Sequence, residues 1–349
     1  MKRSRSFHKA AAAIACLAAS GAWAQAASAP AEFPLAPPPP YVSPATPQGS
    51  GPYPAIMEMD AGLPTHTLYR PTHLAALGAE KLPIVVFGNG ACINVGNRFR
   101  YFLSEIASHG FLALAIGPIG SADAERSGGG SQHRAPPAAG SPAALIQAGK
   151  ASPTVLDGRT VIPSDTSAAQ LIDAIDWAVA ENQRPRGRWQ GKLDVKRIAV
   201  MGQSCGGLQA IDAARDPRVT TLGVWNSGLF SEERRIWPIA GSKATKAGLK
   251  ELRIPALYIT GEPSEVAFNN ADDDVARIES APVFRAWRER TGHGGTYREP
   301  NGGDYGRVAV AWLRWQLKGD VAASRAFVGA DCTLCKDPAW HVTKKGIDR

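Results

Sequence analysis

The chain has 349 residues, 44% of them hydrophobic, and a formal net charge of +8. That is enough apolar material for one large core, which excludes an intrinsically disordered or fibrous polypeptide. Lys2, Arg3, Arg5 and Lys9 fall in the first 24 residues with no acid, leaving +4 for the remainder; no basic stripe is interleaved with aromatics, so nucleic acid is not an expected partner.

Positions 2–9 are charged, 10–19 are apolar but too short to span a bilayer, and Ala22-Trp23-Ala24 is a small-x-small cleavage signal. This predicts a signal peptide over 1–24, a mature chain from Gln25 and a secreted or periplasmic protein. A lipoprotein cut before Cys16 fits less well, because Ile14-Ala15 lacks the usual leucine. No other segment is long and apolar enough to span a membrane. Residues 25–51, rich in Ala and Pro, read as a linker.

From 52 to 325 the pattern alternates between strand and helix. Positions 65–70 suggest an early strand, with His66 and His73 as structural or surface histidines. The continuous apolar run 82–87 predicts a strand buried on both faces. A glycine loop, Gly88-Asn89-Gly90-Ala91-Cys92, follows it. Apolar spacing predicts a helix over 97–108, closed by Gly110, and then a strand over 111–116. The stretch 117–165, with Gly128-Gly129-Gly130-Ser131 and much Ala and Pro, reads as a mobile insertion or a lid. A helix over 167–182, strands over 198–201, 219–225, 254–260 and 283–290, and a closing helix over 308–317 complete the pattern. Together they predict one α/β domain with a doubly wound, mostly parallel sheet and helices on both faces. Residues 326–349 read as a cysteine-containing tail.

The strand at 198–201 runs straight into Gly202-Gln203-Ser204-Cys205-Gly206 and a helix. Strand, G-x-S-x-G and helix together make the context of a nucleophile elbow, in which the serine hydroxyl stands exposed on a tight turn. In open α/β sheets ligands sit beyond the carboxyl ends of the strands, so the other parts belong in the neighbouring loops. His293, in the glycine-flanked loop after the strand at 283–290, is the candidate base. The acid belongs after the strand at 254–260. Glu265 is the first choice there; Asp272, Asp273 and Asp274 compete, though that run also reads as a solvated face, and Glu262 is weaker. The oxyanion donors fall to the N–H of Cys205 and to that of Ala91, with Gly90 next. Gly88 to Ile93 lacks the third glycine of a dinucleotide loop.

If the loops bearing Ala91 and Cys205 converge on one oxygen, Cys92 and Cys205 are neighbours. An exported chain favours pairing them as a disulfide over leaving both as small buried residues. Cys332 and Cys335 then pair with each other or stay reduced. A zinc site from Cys332, Cys335 and His341 lacks a fourth ligand, so no metal is expected. Trp225, at the end of the strand 219–225, is a candidate for lining the substrate pocket or for the core.

With Gly202 to Gly206, His293 and the loop after Thr260 in place, the chain resembles the α/β-hydrolase superfamily over roughly 55–320. Within it the chain is similar to the secreted dienelactone-hydrolase, cutinase and polyester-hydrolase branch. Gly261 to Ala267 resembles that branch's acid loop, where an aspartate stands four residues after the glycine and precedes a short apolar pair. The resemblance thus implies Glu265 as the acid, an Asp-to-Glu departure. It also places Trp225 where such esterases carry a substrate-clamping aromatic. It implies hydrolysis of a small-molecule or polymeric ester through an acyl-enzyme on Ser204, with no cofactor. The glycine–serine insertion and the two-cysteine tail depart from compact cutinases. A serine peptidase or amidase on the same scaffold, or a non-catalytic binding protein, are the competing readings.

Overall fold

The computed structural model describes residues 42–121, 164–231 and 242–347, with the backbone of three short strands in the intervals. The folded part opens on an antiparallel hairpin of β1 (Ala55–Asp60) and β2 (Leu63–Pro71). β3 (Leu82–Gly88), α1 (Arg100–Ser108) and β4 (Leu112–Ile116) then form a βαβ unit. β5 (Val155–Leu156) and β6 (Arg159–Ile162) precede α2 (Ala168–Gln183), β7 (Leu193–Gln203), α3 (Cys205–Ala213) and β8 (Val219–Trp225). β9 (Ile236–Ile239) pairs with β6 in a separate three-stranded sheet. β10 (Ala256–Thr260), α4 (Phe268–Arg277), β11 (Val283–Arg288) and α5 (Gly303–Lys318) follow, and two short helices, α6 (Val321–Ser324) and α7 (Thr333–Lys336), lead to β12 (Trp340–Lys345).

The large sheet has the order β1-β2-β4-β3-β7-β8-β10-β11-β12 among the described residues. Its six central strands, β4 to β11, run parallel, and the hairpin and β12 flank them antiparallel. Strand alternation divides the core in two. Ile84, Val86, Ile198 and Val200 face α2 and α3, while Val85, Phe87, Ala199 and Met201 face α1 and α5. This is why the central strands read as unbroken apolar runs rather than as alternating ones. Each of the larger side chains among these, taken from water, stabilises the fold by roughly 1.5–3 kcal/mol before chain entropy is set against it.

Several boundaries differ from those read in the sequence. Residues 42–51 are not a free linker: Val42 C=O accepts from Arg100 Nη1 at 2.8 Å, and Ser50 N–H donates to Glu105 Oε2 at 2.7 Å. The buried carboxylate of Glu105 holds the chain that precedes β1 through Ser50. The 326–349 tail is likewise part of the domain. β12 pairs with β11 from Val283↔Lys345 to Arg288↔Trp340, and Phe327, Leu334 and Ile347 are buried. The sequence hides this strand because β12 (Trp-His-Val-Thr-Lys-Lys) is polar on its outer side, as an edge strand should be. Asp272 to Asp274 belong to α4, a helix that sequence reading missed. The signal peptide and most of the 117–165 insertion lie outside the described residues. Among the described residues no helix is long and apolar enough to cross a membrane.

His66 on β2 is fully buried. Its Nδ1 accepts from Thr65 Oγ1 at 3.0 Å and its Nε2–H donates to Gln170 C=O at 2.9 Å, in the first turn of α2. Burial pushes its pKa down to about 4, because the imidazolium has no place there.

Two outcomes follow for stability. Phe327 packs edge-on against Phe284 and Trp312 and is fully buried, so Phe327→Ala lowers the unfolding free energy by about 3–5 kcal/mol; a loss below about 1 kcal/mol in chemical denaturation contradicts the tail's place in the core. A histidine with a depressed folded pKa contributes stability that is complete above its unfolded value, about 6.5, and is lost as pH falls toward 4. The wild type's advantage over His66→Gln therefore shrinks by about 2–3 kcal/mol between pH 7 and pH 4; a constant gap across that window contradicts the assignment.

Candidate active site

The loops that follow β3, β7, β8, β10 and β11 meet at the carboxyl edge of the sheet, and they carry Ala91, Cys92, Ser204, Cys205, Glu265 and His293. The turn after β7 is tight. Ser204 has φ 52° and ψ −121°, a backbone state that non-glycine residues seldom adopt and that costs about 1–3 kcal/mol. Its N–H donates to Trp225 C=O at 2.9 Å, and its own C=O accepts from Ser227 Oγ at 2.6 Å. A Cβ at Gly202 would collide with the Gly206 carbonyl, and one at Gly206 with the Gly88 carbonyl. The two glycines of the motif are thus dictated by main chain, and the second is also the point where the elbow meets the loop after β3.

The loops after β10 and β11 are joined in the same way. A Cβ at Gly261 would strike Thr291 C=O, and Glu262 N–H donates to that carbonyl at 2.9 Å. Two further side chains grip the histidine loop. Gln203 Nε2 donates to His293 C=O at 3.1 Å, and Asn226 Nδ2 to Gly292 C=O at 3.3 Å, with Asn226 Oδ1 accepting from Tyr297 O–H at 2.7 Å. The ring is held between the serine and the acid. His293 Nε2 lies 2.9 Å from Ser204 Oγ, and His293 Nδ1 meets Glu265 Oε1. The Glu265 side chain has no solvent exposure, whereas the histidine is 35% exposed and the serine half-buried, so solvent reaches the reacting end of the line.

The rival acids are engaged elsewhere. Asp272 pairs with Arg285 Nε at 2.8 Å, and Asp273 with Lys246 Nζ at 2.8 Å and Arg277 Nε at 3.0 Å. Glu262 accepts from Ser264 Oγ and Arg290 N–H. Asp274 is not on a solvated face. It is fully buried, takes Lys246 Nζ at 2.7 Å and Leu229 N–H at 2.9 Å, and burial pushes its carboxyl up to about 6 against the pull of Lys246.

The loop after β3 carries two more positive-φ residues, Ala91 (54°) and Cys92 (48°). Buried Asn89 fixes its shape: Nδ2 donates to Ile116 C=O at 2.6 Å and reaches Val95 and Ile93 C=O at 3.1 and 3.2 Å. Cys92 and Cys205 stand at disulfide-bonding distance, Cα–Cα 5.2 Å, across 113 residues of sequence. Cys332 and Cys335 do so too, at 4.9 Å. The first pair ties the residue after Ala91 to the residue after Ser204. The N–H of Cys205 opens α3, where the first donors of a helix have no acceptor within it.

Trp225 is not a pocket wall. It is fully buried on the α1 and α5 face, its ring 5.2 Å from Phe102 and 5.6 Å from Tyr305. Alternation along β8 turns it inward, and Gly223, two positions earlier on the same side, leaves room for it. Its contribution to the site is the carbonyl that holds Ser204 N–H. Sequence reading missed Gln203, Asn89 and Asn226; the one available signal was position, since each follows a predicted strand end.

Oxidised, the chain from Gln25 onward has no free thiol. Thiol titration of that chain, unfolded without reductant, is expected to find none; four would remove both bonds. A cross-link closing so long a loop contributes about 2–5 kcal/mol. No protein-family model matches the chain, and no curated protein matches it at a significant level.

Proposed function

We propose that the chain is a serine hydrolase of the α/β-hydrolase type that cleaves carboxylic esters. The observation that carries this reading is the line Ser204 Oγ, His293 Nε2, His293 Nδ1, Glu265, with the serine on a glycine-bounded turn at the carboxyl edge of a parallel sheet. The resemblance to secreted ester hydrolases points the same way, and export from the cell remains part of the proposal.

In this reading Ser204 Oγ attacks the ester carbonyl while His293 Nε2 takes its proton. Glu265, buried beside the ring, stabilises the imidazolium and fixes the ring tautomer with hydrogen on Nδ1. The N–H groups of Ala91 and Cys205 receive the negative charge that develops on the carbonyl oxygen. The alcohol leaves with the proton from His293, and a water activated by the same ring then frees the acid from Ser204. The disulfide between Cys92 and Cys205 keeps the two donor segments in register, so little reorganisation accompanies the charge. No step calls for a cofactor.

On a p-nitrophenyl ester series from acetyl to long acyl chains, the wild type is expected to turn over, and Ser204→Ala to lose about three to six orders of magnitude in kcat while keeping its fold. Glu265→Ala is expected to lose about two to four orders. Activity of Ser204→Ala near that of wild type ends the reading. If esters are not cleaved but amides are, through Ser204, the same machinery serves an amidase.

A further inference from the structure

Glu265 uses one carboxylate oxygen on His293; the other, Oε2, is buried without a hydrogen-bond partner among the described residues. A buried carboxylate with a vacant lone pair is costly unless a charge compensates it. A candidate comes from the strand that precedes His293. Arg285, on β11, has a side chain only 4% exposed. Its Nε donates to Asp272 at 2.8 Å and its Nη1 to Ala286 C=O at 2.7 Å, while Nη2 is buried with no hydrogen-bond partner among the described residues. Phe268 covers the guanidinium, with Cζ 4.9 Å from the ring centre, and Trp287 packs against Phe268 from outside.

The acid loop and α4 present these groups in one stripe. Phe268 N–H donates to Glu265 C=O at 3.1 Å, so the chain already turns helically there. Residues 265, 268 and 272 then share a face by their spacing of three and four, and Arg285 lies beneath that face. Burial pulls the guanidinium's affinity for its proton down, and Asp272 and then Glu265 oppose that.

We infer that Arg285 is a positioning residue for the Glu265–His293 pair: its buried guanidinium keeps the Glu265 carboxylate ionised and turned toward His293 Nδ1. The inference rests on the triad reading of Ser204, His293 and Glu265. Asp272 is half exposed and only partly offsets the cation, so a net positive charge acts on the acid from below. The other charged and titratable groups around Arg285 and Glu265 include Glu262 in the acid loop, Tyr258 on β10, Asp273 and Asp274 on α4, Tyr297 beyond His293, Tyr305 on α5, Arg288 further along β11, and His341 on β12, whose ring stacks on Trp287. Burial raises the pKa values of the three phenols, Asp274 is paired with Lys246, and Arg288 is paired with Asp304 at 2.7 Å, whereas Arg285 keeps a buried Nη2 without a hydrogen-bond partner among the described residues.

The test is the pH dependence of kcat/KM on a p-nitrophenyl ester. Its acid limb reports proton uptake by the Glu265–His293 pair of the free enzyme. Removing a neighbouring positive charge makes that uptake easier, so Arg285→Met moves the acid limb up by about one pH unit. Arg285→Lys returns most of the shift. Asp272→Asn removes an opposing charge at a half-exposed position and moves the limb down by roughly a few tenths of a unit. A purely structural Arg285 would lower stability and kcat and leave the limb where it is, and that result overturns the inference. Should Arg285→Met not fold, Asp272→Asn decides: a limb that stays or rises overturns it. Turnover that survives in Ser204→Ala removes the triad reading, and the inference with it; Ser204-dependent turnover with an unmoved limb removes the inference alone.

Discussion

At Gly206 the elbow backbone lies against the Gly88 carbonyl with no room for a side chain between them. Everything at the carboxyl edge of the sheet depends on that approach. It brings the loop after β3 beside the serine, which sets Ala91 near Cys205 and allows Cys92 to reach Cys205. A single methyl group on Gly206 would have to push the two segments apart, and with them both proposed donors. The disulfide closes the same gap covalently, so the contact is specified twice, once by the absence of a Cβ and once by a bond.

A second constraint acts on charge. The acid of the line is wholly buried, and its ring partner is open to solvent. Such an arrangement suits a group that must be ionised when the imidazole takes up a proton, provided something else in the interior favours the ionised state. The nearby buried arginine meets that need, and its own cost of burial is offset through Asp272. The neighbouring Lys246–Asp274 pair is a different device. It pins α4 to the segment before β10 and leaves Glu265 free for His293.

What the sequence disclosed follows the reach of local rules. The apolar runs at β3, β4, β7, β8 and β10 declared strands buried on both faces, and G-x-S-x-G between a strand and a helix declared the turn. Loops after strand ends narrowed the base to His293. The acid was narrowed to Glu265 and its neighbours, and separating them needed tertiary contacts: Asp272 to Asp274 look solvated in sequence, yet one of them is buried against a lysine more than twenty residues away. β12 and the docking of 42–51 were illegible because each depends on a distant partner, β11 in one case and Glu105 in the other. Trp225 was left open between pocket and core for a related reason: a strand end fits either, and only the packing of its ring against Phe102 and Tyr305 assigns it to the core.

The most direct measurement is mass-spectrometric mapping of the chain from Gln25 onward after treatment with a fluorophosphonate, with His293→Ala treated alongside. The account predicts a single adduct on Ser204 in the wild type and a rate of labelling at least about a hundredfold lower in the variant, because the serine is a weak nucleophile without its base. An unlabelled Ser204, or equal labelling with and without His293, would contradict the claim that this serine is activated.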